Sequence, residues 1–439
     1  MEKLIEDAKK ILKEKNIYGD IYIENTIKNE IIINDSKVEK ITKSDITCGN
    51  VRVFKDGKMG FCYFAGTEKN IINDAILRAI NSIFVDGYEN YHFNPSNSNI
   101  NIKFFDVSYN KLTDDERIEK AILLEKVTKE NPFINIVRDI NWTDVCEKTY
   151  YINSENKEDY KERTKFFIYT SAIAERNGSR ELAESAEITT RLKNIDVIKT
   201  GRECADKAKN LLNGQPLKTG KYKIMLPPEI ACDLLALLSK IFLGSNIAKG
   251  KSLLASNKTG DVIASGILNI KDDALLDFGY ASFTIDAEGE MGQNKYIIKN
   301  GVLKSFLFDK INAHLKNTNS TGNSIRQDFK FLPDCGVSNF YIEKGNENKE
   351  KVVNNFYGIF INSLMGLHMV DTVSGNFSLA FNGWLIDKGN IDKAVKESLL
   401  TGNLKELLKK IIIVCDDLKF YANYGSPTIV IDDMDVAGK

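Results

Sequence analysis

Lys165-Phe166-Phe167-Ile168-Tyr169-Thr170-Ser171-Ala172-Ile173-Ala174 and Leu182-Ala183-Glu184-Ser185-Ala186-Glu187-Ile188-Thr189-Thr190-Arg191 are two strand-like arms flanking Asn177-Gly178. A two-residue hairpin turn needs positive φ at both central positions, which Asn and Gly tolerate, so the arms read as antiparallel neighbours. Working outward, the same signal recurs twice. Asp56-Gly57 sits inside Val51-Arg52-Val53-Phe54-Lys55-Asp56-Gly57-Lys58-Met59-Gly60-Phe61, and Asn300-Gly301 separates Tyr296-Ile297-Ile298 from Val302-Leu303. Shorter β-rich runs are Ile21 to Ile23 and Ile31 to Ile33; a longer block runs from Ile134 to Thr190. Strands are also expected at Tyr222 to Leu226 and Pro427 to Val436.

Helical spacing interrupts these runs. Leu4, Ala8, Ile11 and Leu12 share one face of an opening helix, and Ile71, Ile72, Ala75, Ile76 and Ala79 do so within Asn70 to Phe84. Asp196 to Leu212 predicts a helix stopped by Gly214-Gln215-Pro216. Pro228 to Phe242 predicts another, with Pro228 in the first turn, where a missing N–H costs nothing. Hairpins interspersed with helices predict an α+β protein with mainly antiparallel sheets. The break at Gly214 divides the chain into 1–215 and 216–439, an N-terminal α+β domain and a β-rich C-terminal domain.

Bulk properties exclude several classes. Lys plus Arg number 60 against 61 Asp plus Glu, so no basic field is available for nucleic-acid phosphates. No apolar run approaches the ~18–20 residues of a membrane span. The N-terminus, Met1-Glu2-Lys3-Leu4-Ile5-Glu6-Asp7, is of mixed charge and has no signal-peptide core. The seven cysteines are scattered, without a C-x-x-C pair, and read as reduced thiols. A cytoplasmic protein is expected, with no nucleic-acid or membrane partner.

From Gly214 onward the motifs fall in a specific order. They are Gly220-Lys221-Tyr222, Gly250-Lys251-Ser252, Asp272-Asp273, Asp286-Ala287-Glu288-Gly289 and Asn300-Gly301-Val302-Leu303. Ser320-Thr321-Gly322-Asn323 with Arg326 follows, then Ser338-Asn339-Phe340-Tyr341-Ile342. Ser374-Gly375-Asn376-Phe377-Ser378 and Met434-Asp435-Val436-Ala437-Gly438 complete the series. This order resembles the TldD/PmbA, or modulator of DNA gyrase, protease family, and the likeness extends over nearly the whole chain. The resemblance implies two related subunits. A TldD-type chain holds a metal, expected to be zinc, on an H-E-x-x-x-H helix and a later Cys; the PmbA (TldE) type lacks this set. It also implies cleavage of small unfolded peptides of leader-peptide or antitoxin type.

The chemistry can be checked on residues. Zinc hydrolysis needs imidazoles one helical turn apart and a neighbouring Glu as base. The matching helix, from Pro228 to Lys240, has no His, and its Leu234, Leu235, Leu237 and Leu238 belong in a core. Cys232 and Asp233 are adjacent and point about 100° apart. Cys415 ends the apolar run Ile411-Ile412-Ile413-Val414 and reads as a buried strand residue. No catalytic residue, metal ligand or cofactor is therefore assigned to this chain. The candidate cleft residues are Asp286, Glu288, Asn323, Arg326, His368 and Asp371. Asp286 and Glu288 would share a face if extended. The Ser320 to Ser324 loop would offer backbone N–H donors, and His368 lies three residues before Asp371. His92 and His314 read as structural and solvated, respectively.

The expectation is a non-catalytic, substrate-binding or scaffolding subunit that binds extended peptide and pairs with a TldD-type chain, or with itself. A homo-oligomeric peptide-binding module without proteolytic activity, and a hydrolase using an unrecognised carboxylate site, are the alternatives. Zinc retention separates them cheaply. After dialysis, elemental analysis of the purified chain is expected to find far less than one zinc per chain; about one tightly held zinc would contradict the ligand argument.

Overall fold

Asp56-Gly57, Asn177-Gly178 and Asn300-Gly301 all adopt positive φ at both positions: 51° and 73°, 51° and 81°, 50° and 75°. Each is the tight turn that its sequence predicts. A fourth such turn, Asp35-Ser36 at 47° and 58°, was not expected, because Ser lacks the preference for that region that Gly and Asn have. The chain, seen in a computed structural model, is described over residues 2–14, 17–83, 85–89, 91–94 and 100–439.

The N-terminal half is built on one antiparallel sheet. Its strands are β1 (Gly19–Asn34), β2 (Lys37–Lys55), β3 (Lys58–Ala65), β4 (Ile134–Asn153), β5 (Glu158–Arg176) and β6 (Ser179–Thr189), in the order β3-β2-β1-β4-β5-β6. The expected short runs at Ile21 to Ile23 and Ile31 to Ile33 are the two ends of the 16-residue β1. The intervening polar residues pair along the same ladder, so polarity did not break the strand.

Side chains alternate across a strand, and here the two faces differ sharply. One face carries Ile21, Ile23, Ile31, Val51, Val53, Ile140, Trp142, Phe166 and Ile168. Helices α1 (Glu2–Glu14) and α2 (Ile71–Asn81) cover one end of it; α3 (Asp114–Lys129) and α4 (Val197–Asn210) cover the other. The expected helix from Asn70 to Phe84 is thus shorter, and Phe84 lies outside the described residues. α3 went unread, although a capping box announces it: the Thr113 side chain accepts the Glu116 N–H while Glu116 reaches back to the Thr113 N–H. The opposite face carries Asp20, Tyr22, Asn50, Arg52, Glu147, Thr149, Tyr151, Arg163 and Lys165. It is covered by the C-terminal half: Asn50 Nδ2 donates to the Phe329 carbonyl at 2.8 Å and Arg163 Nη1 to that of Tyr280 at 2.9 Å.

The C-terminal half holds the remaining sheets. β7 (Gly220–Leu226) enters first, followed by α5 (Pro228–Ser239). Next come β8 (Ile270–Asp273), β9 (Asn294–Lys299), β10 (Val302–Leu303), β11 (Ser324–Ile325), β12 (Asp334–Cys335) and β13 (Asn339–Ile342). β14 (Tyr357–Met365), β15 (Asn376–Asp387), β16 (Asn390–Asn403), β17 (Ile411–Val414), β18 (Lys419–Tyr421), β19 (Tyr424–Ser426) and β20 (Ile429–Ala437) complete the chain. One sheet runs β16-β15-β14-β7-β20-β17, with β16 also pairing β20, so it curls back on itself. A second runs β10-β9-β8-β13-β19-β18, and β11 pairs β12. The pairs are antiparallel except β14 with β7 and β13 with β19. The fold is α+β, as expected.

α5 lies at the centre of this half. Ile230, Leu234, Leu235, Leu237 and Leu238 pack with Ile224 and Leu226 of β7, Ile359 of β14 and Ile429 of β20. With Leu235 only 1% exposed, Leu235→Ala should cost about 2–5 kcal/mol by leaving a cavity that rigid sheets cannot fill. Thermal unfolding of this variant should show a clearly lowered midpoint; an unchanged midpoint would mean that α5 is not the core element it is taken to be.

Candidate functional site

The segment Asp286–Glu290 is a tight turn, and not the extended strand that would place Asp286 and Glu288 side by side. The Asp286 N–H donates to the Glu290 carbonyl at 2.8 Å and the Gly289 N–H to the Asp286 carbonyl at 3.1 Å. Gly289 has φ +78°, and a Cβ there would stand 3.2 Å from Tyr151 Oη, so the turn is pressed against the N-terminal sheet. Asp286 Oδ1 accepts the N–H groups of Glu288 and Glu290, both at 2.9 Å, and Oδ2 accepts that of Ser324 at 3.0 Å. This carboxylate therefore organises its own turn and ties it to β11.

Glu288 faces the other way. Its Oε2 accepts the Lys310 N–H at 2.9 Å, and its Oε1 lies 3.7 Å from Arg52 Nη1. Arg52 is 2% exposed and Asp20 1%. Arg52 Nε donates to Asp20 Oδ1 at 3.0 Å, Nη2 donates to Asp20 Oδ2, and Nη2 also reaches the Ala287 carbonyl at 3.1 Å. Tyr151 Oη donates to Asp20 Oδ2 at 3.2 Å. The rings of Phe54 and Tyr91 lie 5.6 and 5.8 Å from the guanidinium carbon, which suits a desolvated cation. Arg326 approaches from the C-terminal half. Its guanidinium stacks 4.3 Å from the Tyr22 ring centroid, and its Nη2 reaches the same Ala287 carbonyl at a long 3.5 Å.

These environments move protons. Burial pushes the Glu288 carboxyl up to about 7, and Asp309 and Asp286 add to the rise while Arg52 opposes it. Burial also raises Asp286, against the three N–H groups that favour its charged form. Asp20 holds Arg52 above the ordinary guanidinium range despite the burial that opposes it.

The other expected cleft residues divide. Asn323 is fully buried and structural: Nδ2 donates to Asp272 Oδ2 at 2.8 Å and to the Gly336 carbonyl at 3.0 Å, while Oδ1 accepts from Lys295 Nζ at 2.7 Å. The Ser320 to Ser324 loop does not hold out amides for a ligand. The N–H groups of Thr321, Gly322 and Ser324 go to the Phe308 carbonyl, Ser320 Oγ and Asp286 Oδ2. His368 and Asp371 are exposed and lie on the β14–β15 connection, and neither lines the cavity beside the turn. Asp371 accepts the N–H groups of Val373 at 2.8 Å and Ser374 at 3.3 Å, so it shapes its own loop. His92 and His314 are also exposed; both border a hollow of about 420 Å³ beside Lys310, whose Nζ donates to the His92 carbonyl at 2.6 Å.

Metal-type donors fare poorly. On α5, burial pushes the Cys232 thiol up to about 12 and Asp233 up to about 6, with Glu229 adding to the latter. Among the described residues, one set of three such donors is close together: Asp309, Asp334 and Cys335. Asp309 Oδ1 caps the helix Lys310–Leu315 through the Asn312 N–H at 2.8 Å, and Cys335 Sγ accepts the Asp309 N–H at 3.3 Å. Burial holds that thiol far above its usual range, and no imidazole is among the three donors, so the set does not fit zinc. Cys415 is buried directly after β17, as expected.

What the turn and the sheet do enclose is a cavity of about 440 Å³, lined by Tyr22, Thr149, Tyr151, Arg163, Ser324 and Arg326 among others. Its lining offers hydrogen-bond donors and aromatic rings. The residues contributed by the N-terminal sheet were missed in the sequence. Their signal was polar side chains repeating at every second position of long strands, Glu147, Thr149 and Tyr151 in β4 and Arg163 and Lys165 in β5.

Comparison with known proteins adds a family. Models of the PmbA/TldA metallopeptidase match in three parts: domain 1 over residues 19–83, the central domain over 108–212 and the C-terminal domain over 219–438. The chain is 25% identical to the metalloprotease PmbA homolog of Buchnera aphidicola subsp. Acyrthosiphon pisum, over 99% of this chain and 96% of that one. Two solved structures share the fold. TldE from Thermococcus kodakarensis superposes with a TM-score of 0.87 at 21% identity, covering 100% of both chains. A Thermotoga maritima protein named for modulation of a DNA gyrase gives 0.90 at 21% identity, covering 99% of this chain and 100% of that one.

Two consequences are measurable. Arg52→Met would strand a buried Asp20 carboxylate, and losing one partner of a buried pair costs about 3–5 kcal/mol. Urea unfolding should show a loss of that order, and a loss well below 1 kcal/mol would contradict the role given to Arg52. Glu288 tests the proton argument. Its folded-state carboxyl sits near 7 against an ordinary 4.5, so ionising it costs more in the folded protein than in the unfolded chain. Stability from this group is therefore lost as pH rises through that interval. The stability difference between the wild type and Glu288→Gln should shift against the wild type by roughly 1–3 kcal/mol between those limits. A flat difference would mean that Glu288 is ionised throughout.

Proposed function

The chain belongs to the PmbA/TldD metallopeptidase family, and we propose that within it this chain is a PmbA-type subunit that binds extended peptide and leaves hydrolysis to a metal-bearing TldD-type partner. The observation that carries this reading is α5. Where the resemblance expects a metal helix in the partner, this helix offers leucines to a core and no imidazole. The cleft supports it further, since its carboxylates are bound to backbone N–H groups and arginines and are not poised beside a nucleophile.

Peptide recognition by strand addition suits a chain so rich in sheet. The N-terminal sheet ends in β3 and β6; β3 carries a bridge from Met59 to Val85, and β6 has no strand on its outer side among the described residues. Small unfolded peptides of leader or antitoxin type are the proposed substrates, and zinc is the proposed metal of the partner. The proposed setting is cytoplasmic, in keeping with seven free cysteines. No helix among the described residues is long and apolar enough to cross a membrane. Exposed Tyr357, Met365, Met369 and Val373 on the C-terminal half favour a dimer through that half, with a TldD-type chain or with a second copy.

Reconstitution tests the division of labour. In a pair with a TldD-type chain, Asp286→Asn, Glu288→Gln and His368→Ala should each leave cleavage measurable. Losing a general acid or base removes about 10²–10⁴-fold in rate, whereas losing a binding contact costs about 1–3 kcal/mol and shows chiefly in KM when ground and transition states share it. A variant that abolishes kcat while assembly and peptide binding persist would place chemistry in this chain. Assembly is tested separately: light scattering should give a dimeric mass alone or with the partner, and a strictly monomeric mass in both cases would count against it.

A further inference from the structure

Two guanidinium groups border the interdomain cavity without a carboxylate hydrogen-bonded to them among the described residues. Arg163 is 7% exposed; its Nη1 and Nη2 donate to the carbonyls of Tyr280 and Ser282, and its Nε has no acceptor. Arg326 stacks on Tyr22, makes one long hydrogen bond to the Ala287 carbonyl, and leaves Nε and Nη1 without acceptors. Thr149 Oγ1 and Ser324 Oγ, from residues lining the same cavity, are likewise buried without partners. The carboxylates that line the cavity are engaged elsewhere. Glu147 pairs with Lys165 at 2.5 Å, Asp159 with Lys161 at 3.3 Å and with Thr284 Oγ1 at 2.6 Å, and Asp286 holds its backbone N–H groups.

Buried polar groups normally find partners, and a buried charge more so. Here the unmet donors gather around one cavity. Burial draws both guanidiniums below their ordinary range, and the like charge of Arg52 draws Arg326 down further. An anion held between the two guanidiniums would supply the acceptor that each lacks. A guanidinium fork matches a planar carboxylate, and the about 440 Å³ available is enough for a peptide terminus or a short side chain.

We propose that this cavity recognises a carboxylate of the bound peptide, through Arg326 and Arg163. The proposal rests on the peptide-binding reading above and gives it a chemical preference. Carboxylate is the shared chemistry of a free C-terminus and of an acidic side chain, and the test separates the two.

Calorimetric titration of the full chain would use three probes: acetyl-Ala-Ala-Ala with a free C-terminal carboxylate, the same peptide as its C-terminal amide, and acetyl-Ala-Glu-Ala amide. At least one carboxylate-bearing probe should bind tenfold or more tighter than the neutral amide, and the one that does identifies the source. Arg326→Gln should abolish that preference, while Arg326→Lys, which keeps the charge and loses the fork, should retain part of it. Equal affinity for all three probes would overturn the carboxylate pocket and leave peptide binding standing. Binding of none would overturn both. A folded Arg326→Gln chain, judged by its melting midpoint, that keeps the full preference would also overturn it. Should that variant fail to fold, the acid-against-amide comparison on the wild-type chain decides alone.

Discussion

Arg52 and Asp20 form an ion pair that neither half of the chain could bury alone. Both residues stand on the polar face of the N-terminal sheet, where alternation along β1 and β2 directs them away from the helices. The C-terminal half closes over them with the turn at Asp286–Glu290, whose Ala287 carbonyl takes an N–H from Arg52 and whose Glu288 carboxyl lies 3.7 Å from the same guanidinium. A buried pair is stable only when its remaining donors and acceptors are met, and here the turn and Tyr151 meet them. The relative placement of the two halves, and therefore the cleft between them, depends on this arrangement.

The same constraint fixes the acidic residues of the turn in place. Asp286 is needed to close its own turn, and Glu288 to balance Arg52 and cap the approach of Lys310. Groups held this firmly are good walls. Freedom remains in the second pair of arginines, Arg163 and Arg326, each of which keeps an N–H without an acceptor among the described residues. The helix at the heart of the C-terminal half is given over to packing, and the seam between the halves is polar.

Much of the fold was legible in the sequence. Asn-Gly and Asp-Gly turns announced three hairpins because so few residues accept positive φ, and leucine spacing announced α5 as a core helix. Less was legible in the site. Asp286, Glu288 and Arg326, named from their motifs as candidates, lie close together, yet Asp286 and Glu288 do so in a turn, because backbone N–H groups bent around the Asp286 side chain outcompete an extended ladder. His368 and Asp371 are close in sequence, but a local loop holds Asp371, and nothing draws the pair into the cleft. Asp20, Arg52 and Arg163 were passed over since a charged residue in a strand ordinarily faces water. Only the docking of the second half over that face makes them interior, and no local pattern reports a docking event.

The central claim is that hydrolysis by the assembled pair belongs to the partner's metal helix. The most direct measurement combines this chain, unaltered, with a TldD-type chain whose H-E-x-x-x-H glutamate is replaced by Gln, and follows peptide cleavage with assembly verified in the same sample. The account predicts a complete, peptide-binding assembly with cleavage reduced to background. Cleavage persisting near the rate of the unaltered pair would contradict it, because the catalytic groups would then have to lie in this chain.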